Sequence, residues 1–158
     1  MKQIKIFSSQ IFFSLSLCLI GHNLLAQSSD MDGTEMSIAK TIHDSDLVWN
    51  PAPDFFPGCS FTILHGDMAG PNLDLFFRVE PNTDIINHTH NSAERMILVA
   101  GEMEVQYEGE NPQILKAGTY AYGPANKPHR AKCLNSGQCV LFIALIDPFN
   151  AEVVTKKD

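Results

Sequence analysis

The sequence predicts an all-β domain, a sandwich or barrel of the jelly-roll kind. Three observations carry that prediction. Beyond residue 60, apolar residues recur at every second position, the period of a strand with one face in a core and the other in water. Turn residues separate these segments at short, even intervals. No stretch after Pro51 repeats its apolar residues at the helical period of about 3.6.

The 158-residue chain opens on a targeting signature rather than on the fold. Lys2 and Lys5 precede an apolar run from Ile11 to Ile20, and Leu24-Leu25-Ala26 ends in a small residue suited to cleavage. That order predicts a signal peptide over residues 1–26, and with it a secreted or periplasmic protein without a stable membrane anchor. The run is shorter than the ~20 residues a span requires. Cleavage removes two lysines and no acid, which leaves nine cations against 18 acids and a formal charge of −9 with histidine neutral. Such a domain is not built to bind nucleic acid, where affinity rests on cationic contacts to phosphate.

Residues 27–57 precede the domain, and of these 27–50 are polar and lack a sustained period. They form an N-terminal leader, with a short strand expected near Asp46 to Trp49 and with Pro51, Pro53 and Pro57 ahead of the domain. The domain is expected over 58–147, followed by a tail over 148–158. Its first strand falls at 61–65. In the second, Leu73, Leu75, Phe77 and Val79 alternate with Asp74, Phe76, Arg78 and Glu80. Phe76 on the outer set is the one hint of an exposed apolar sheet, through which the barrel would form a homodimer. A strand at 95–100 follows. In the next, Met103, Val105 and Tyr107 alternate with Glu102, Glu104, Gln106 and Glu108. Further strands fall at 119–122, 129–133 and 139–146. Cys133 and Cys139 flank a turn containing Gly137. A three-residue hairpin loop would set them face to face, within disulfide reach. Two small buried thiols are the other reading, and Cys59 is left over in either case.

Chemistry concentrates in a few residues. In His88-Thr89-His90 the two imidazoles lie two positions apart, so an extended backbone points both to one side. The turn-like Asn91-Ser92-Ala93 lets Glu94 bend toward the same point, and His129 could arrive from a later strand. Three neutral imidazoles and one carboxylate suit one divalent transition ion such as Fe, Mn, Ni, Cu or Zn. His65 is read as a surface or outer-sphere histidine and His43 as a solvent-exposed residue of the leader. Asn87-His88-Thr89 also matches the N-glycosylation pattern, but a glycan would stand beside the proposed site.

These residues resemble the two cupin motifs. Asn82, five residues, His88-Thr89-His90, three residues, Glu94, six residues and Gly101 follow the first. Gly118, five residues, Pro124-Ala125-Asn126, two residues and His129 follow the second. Asn82 and Asn126 stand where the motifs carry glycine, and Cys133 stands where the second ends in Asn. Both asparagines tolerate a left-handed backbone better than most residues. The resemblance implies a cupin double-stranded β-helix and a mononuclear metal held by His88, His90, Glu94 and His129. It further implies a metal-dependent enzyme of dioxygenase or isomerase/lyase type acting on a small molecule. A non-catalytic cupin that captures a small ligand or a metal is the alternative. Strand parity adds pocket candidates: Phe77, Met96 and Cys133 by their shared inner face, and Tyr120 and Tyr122 if their strand turns them inward.

Overall fold

The computed structural model describes residues 36–155, so the expected signal peptide and the first part of the leader lie outside the described residues. The described chain forms β1 (Asn50–Pro51), β2 (Cys59–His65), β3 (Leu73–Val79), β4 (Asp84–Thr89), β5 (Glu94–Ala100), β6 (Glu102–Tyr107), β7 (Gln113–Lys116), β8 (Tyr120–Gly123), β9 (His129–Cys133), β10 (Cys139–Leu145) and β11 (Glu152–Val153). One sheet runs β1-β2-β3-β10-β5-β8 and the other β11-β4-β9-β6-β7, with antiparallel pairing throughout. The expected all-β jelly-roll architecture is what the chain adopts.

Alternation decides what faces inward. Leu73, Leu75 and Val79 of β3, Met96 and Leu98 of β5, and Met103, Val105 and Tyr107 of β6 are all buried in one core between the sheets. Removing a side chain such as Leu98 wholly from water contributes roughly 1.5–3 kcal/mol. β10 lies between β3 and β5 and is apolar on both faces, as a strand covered on both sides should be. Its outer residue Phe142 meets Phe76 edge to face, with centroids 6.4 Å apart. Phe76 is therefore only 7% exposed, which corrects its reading as an exposed apolar hint. The exposed apolar side chains of this sheet include Ile97 and Val99 on β5 and Tyr120 and Tyr122 on β8.

The turns use the residues the sequence singled out. Asn82 and Asn126 take φ of 57° and 60°, the left-handed geometry that glycine would otherwise supply. Gly101 has φ 85°, and a Cβ there would stand 2.6 Å from the Gln138 carbonyl, so the β5–β6 turn requires glycine.

Several expectations are corrected. The leader's strand falls at Asn50–Pro51 instead of 46–49, where a turn carries a hydrogen bond from Leu47 N–H to the Asp44 carbonyl. β4, β7 and β11 were not anticipated as strands; two of them are four residues or fewer. Cys133 and Cys139 are joined, with Cα atoms 5.7 Å apart. They are not hairpin partners, however, because β9 and β10 belong to different sheets. The bond links the two layers across residues 134–138.

Candidate metal centre and its pocket

The site lies where β4, β5, β6 and β9 come together. β4 pairs with β9 as Ile85↔Ala131 and then His88↔His129, so three steps on one strand match two on the other. This bulge leaves Ile86 and Asn87 both exposed and turns Ile85 and His88 both inward. Regular alternation would have sent one of them out. The bulge also aims the Ile86 carbonyl at His88 Nδ1, 2.7 Å away.

The other two imidazoles are held the same way. His90 Nδ1 lies 2.7 Å from the Asn150 carbonyl and His129 Nδ1 3.0 Å from the Lys127 carbonyl. A ring nitrogen facing a carbonyl must carry the proton. Each ring is thereby fixed as the tautomer whose Nε2 holds a free lone pair. Ligand atoms from all three histidines lie within 4.8 Å of one another. Glu94, at the start of β5, puts Oε1 3.5 Å from His90 Nε2 and Oε2 3.5 Å from His129 Nε2. Ser92 sets the turn between His90 and Glu94. Its buried hydroxyl accepts hydrogen bonds from the backbone N–H groups of Ile146 and Asp147, at 3.1 and 3.2 Å.

Burial governs the electrostatics. It pushes His88 down to about 3, with the neighbouring His129 adding to the shift. It also lowers His90 and His129, and it holds the Glu94 carboxyl above its ordinary range while His129 pulls the other way. The imidazoles are therefore neutral near pH 7, and the His–Glu contacts are not salt bridges. What remains is a buried cluster of unprotonated ring nitrogens gathered around a carboxyl group. Such a cluster costs free energy unless a cation occupies its centre. The donor set, three neutral imidazoles with one carboxylate, fits a divalent transition ion.

The cavity beside this cluster has a volume of about 70 Å³, several times what one water needs. Phe56, Phe61, Leu75, Phe77, Met96 and Phe149 supply much of its wall, and no lysine or arginine lines it. Phe77 and Met96 thus lie where parity placed them. Cys133 does not: it is fully buried and bonded to Cys139, and it does not line the cavity. Tyr120 and Tyr122 are corrected too. They pair with Ile97 and Arg95, the outward residues of β5, so both point to solvent and Ala121 and Gly123 turn inward instead. The tyrosine in the cavity is Tyr107, whose place in the inward Met103-Val105-Tyr107 set was the available signal. His43 and His65 are both exposed and lie away from the cavity. The Asn150 carbonyl and Phe149, from the segment after β10, were not foreseen, because a backbone contact carries no side-chain signature.

A model of the cupin domain matches residues 75–145. No curated protein sequence matches the chain. Among solved structures it is similar to the polyketide cyclase RemF from Streptomyces resistomycificus, at 16% identity and TM-score 0.63, covering 77% of this chain and 89% of that one. It is also similar to KdgF from Halomonas sp., at 20% identity and TM-score 0.53, covering 63% and 87%. The DMSP lyase DddQ from Ruegeria pomeroyi superposes at 17% identity and TM-score 0.58, covering 68% of this chain and 61% of that one. At such identities the structural likeness concerns the fold.

Proposed function

The chain belongs to the cupin superfamily, and from that premise we propose that it is a metal-dependent enzyme acting on a small organic molecule. The ligands in this reading are His88, His90, His129 and Glu94. The observation that carries it is the shared orientation of the rings: three separate backbone carbonyls hold three Nδ1–H groups, the three imidazoles gather at one point, and the Nε2 atoms of His90 and His129 lie beside the buried Glu94 carboxyl. A core that needed only packing would not retain four lone-pair donors in contact.

When bound, the ion would supply Lewis acidity, and redox chemistry if it is iron, manganese, nickel or copper. The chain's own groups do the rest. The carbonyl-bonded imidazoles keep their orientation, and Glu94 offsets one positive charge. The apolar walls orient a substrate body and exclude water, which strengthens every electrostatic contact at the centre. Dioxygenase and isomerase/lyase chemistries both suit such a pocket. Neighbours of this fold named as a cyclase and a lyase support a reading in which turnover, and not capture alone, is the task. We place the mature protein outside the cytoplasm; the N-terminal sequence and the Cys133–Cys139 bond support an oxidising compartment.

Elemental analysis of protein purified from its native compartment tests the ligand set. About one transition-metal equivalent per chain is expected from the single cluster, with near-complete loss in His88→Ala. Full occupancy in that variant would refute the assignment. Oxygen uptake against substrate conversion then separates oxygenation from isomerase or lyase chemistry.

A further inference from the structure

One buried side-chain polar atom among the described residues has no hydrogen-bond partner, and it lies in this cavity: the hydroxyl of Tyr107. The residue is 8% exposed. Its ring stacks on His129, with centroids 4.8 Å apart and planes inclined by 29°. The position is built for it. A Cβ on Gly123 would collide with the phenol oxygen and stand 3.3 Å from Glu94 Oε2. Tyr107 can therefore reach the carboxylate side of the cluster only because residue 123 has no side chain. Leaving a buried hydroxyl unpaired costs free energy, because its hydrogen bond to water has been lost and not replaced. A ligand that accepts its hydrogen bond would remove that cost.

The rest of the lining limits the ligand. Apart from the three histidines, Glu94 and Tyr107, every residue around the cavity is apolar, and none is cationic. One divalent ion balanced by one carboxylate leaves a single positive charge. That suffices for one oxygen-bearing head and leaves nothing to meet a second charged group.

Building on the metal reading above, we propose that Tyr107 is the specificity residue of the pocket. Its hydroxyl donates a hydrogen bond to the oxygen-bearing head of a small substrate whose remaining body is apolar and uncharged.

Isothermal titration of the metal-loaded protein with butanone, cyclopentanone and cyclohexanone, against succinate, glutarate and adipate, tests this. The ketones should bind and the dicarboxylates should not. Tyr107→Phe should weaken ketone binding about five- to tenfold, the worth of one hydrogen bond. Its metal content should be unchanged, and the Tm of the ligand-free variant should be equal or higher, since an unsatisfied group has been removed. Gly123→Ala should show a similar loss by displacing the phenol. Any of three results would overturn the proposal: dicarboxylates bind as well as ketones; metal-loaded protein binds no ketone; or Tyr107→Phe keeps full ketone affinity or loses several degrees of ligand-free Tm. Metal content measured on the same samples separates the two levels. Protein that takes up no metal fails the reading of the site, whereas metal-loaded protein without discrimination fails the reading of Tyr107.

Discussion

The two ends of this barrel are made by the same strands, and they differ in what those strands point inward. At one end stand Glu94 of β5, Tyr107 of β6 and His129 of β9. Four residues along each strand, at the other end, stand Leu98, Met103 and Cys133, all at 0% exposure. About 13 Å of strand separates the two sets. The sealed end is closed by apolar packing and by the Cys133–Cys139 link between the layers. The site end keeps three imidazoles, a carboxylate and an unpaired phenol out of water. The sealed end therefore holds only groups that packing accounts for, whereas the other retains groups that packing alone would have replaced.

Acid should separate the ends most sharply. In the metal-free protein the three imidazoles have folded pKa values lowered from 6.5, with His88 at about 3. Their neutrality stabilises the fold above about pH 6.5, and that contribution is lost as pH falls toward the folded values. Glu94 acts in the opposite sense. Its raised folded pKa means that ionising it costs stability as pH rises past 4.5, so acid returns part of the loss. Three groups against one set the sign between pH 6.5 and 5. Calorimetry of chelator-treated protein should show Tm falling across that window, and a His88→Gln/His129→Gln variant should show a much flatter profile. Equal slopes would mean that acid sensitivity does not reside at the site end.

Leu98→Ala probes the sealed end. A fully buried leucine lost from a packed core costs about 2–5 kcal/mol, which lowers Tm by roughly 10 °C or more in a domain of this size. Because Leu98 lies away from the ligands, the loss should be the same with and without metal, and metal content should not change. A variant that also lost its metal would show the two ends to be coupled.

The sealed end was the more legible in the sequence. Its inward set, Val79, Leu98 and Met103, follows from period-two alternation, which local backbone geometry enforces. The ligand histidines were legible for a different reason, the spacing of His88, His90, Glu94 and His129. What spacing could not show was how the rings are held. The bulge at Ile86 and Asn87 breaks the alternation that the sequence suggests, and the carbonyls of Ile86, Lys127 and Asn150 leave no mark in side-chain identity. Tyr120 and Tyr122 were assigned without a register. Pairing with β5 fixes their face, and that pairing is a tertiary fact. Tyr107 could be placed inward from the sequence, but its unpaired state depends on Gly123 from another strand.

Ser92→Ala should have the smallest effect on stability and the most mixed signature. The Ser92 hydroxyl accepts from the Ile146 and Asp147 N–H groups just past β10, and its residue joins His90 to Glu94. Alanine would leave those two donors seeking water at a nearly closed position. The expected cost is about 1–2 kcal/mol, less than at Leu98, because the segment after β10 can shift outward. The same shift would loosen the turn that sets His90 against Glu94, so metal affinity should fall about tenfold, as when a group supporting a ligand is lost. Calorimetry and a competitive metal titration read the two effects separately. A fall in Tm with unchanged affinity would make Ser92 a strut of the fold alone, and the site end would then owe its geometry to the three carbonyl-held rings.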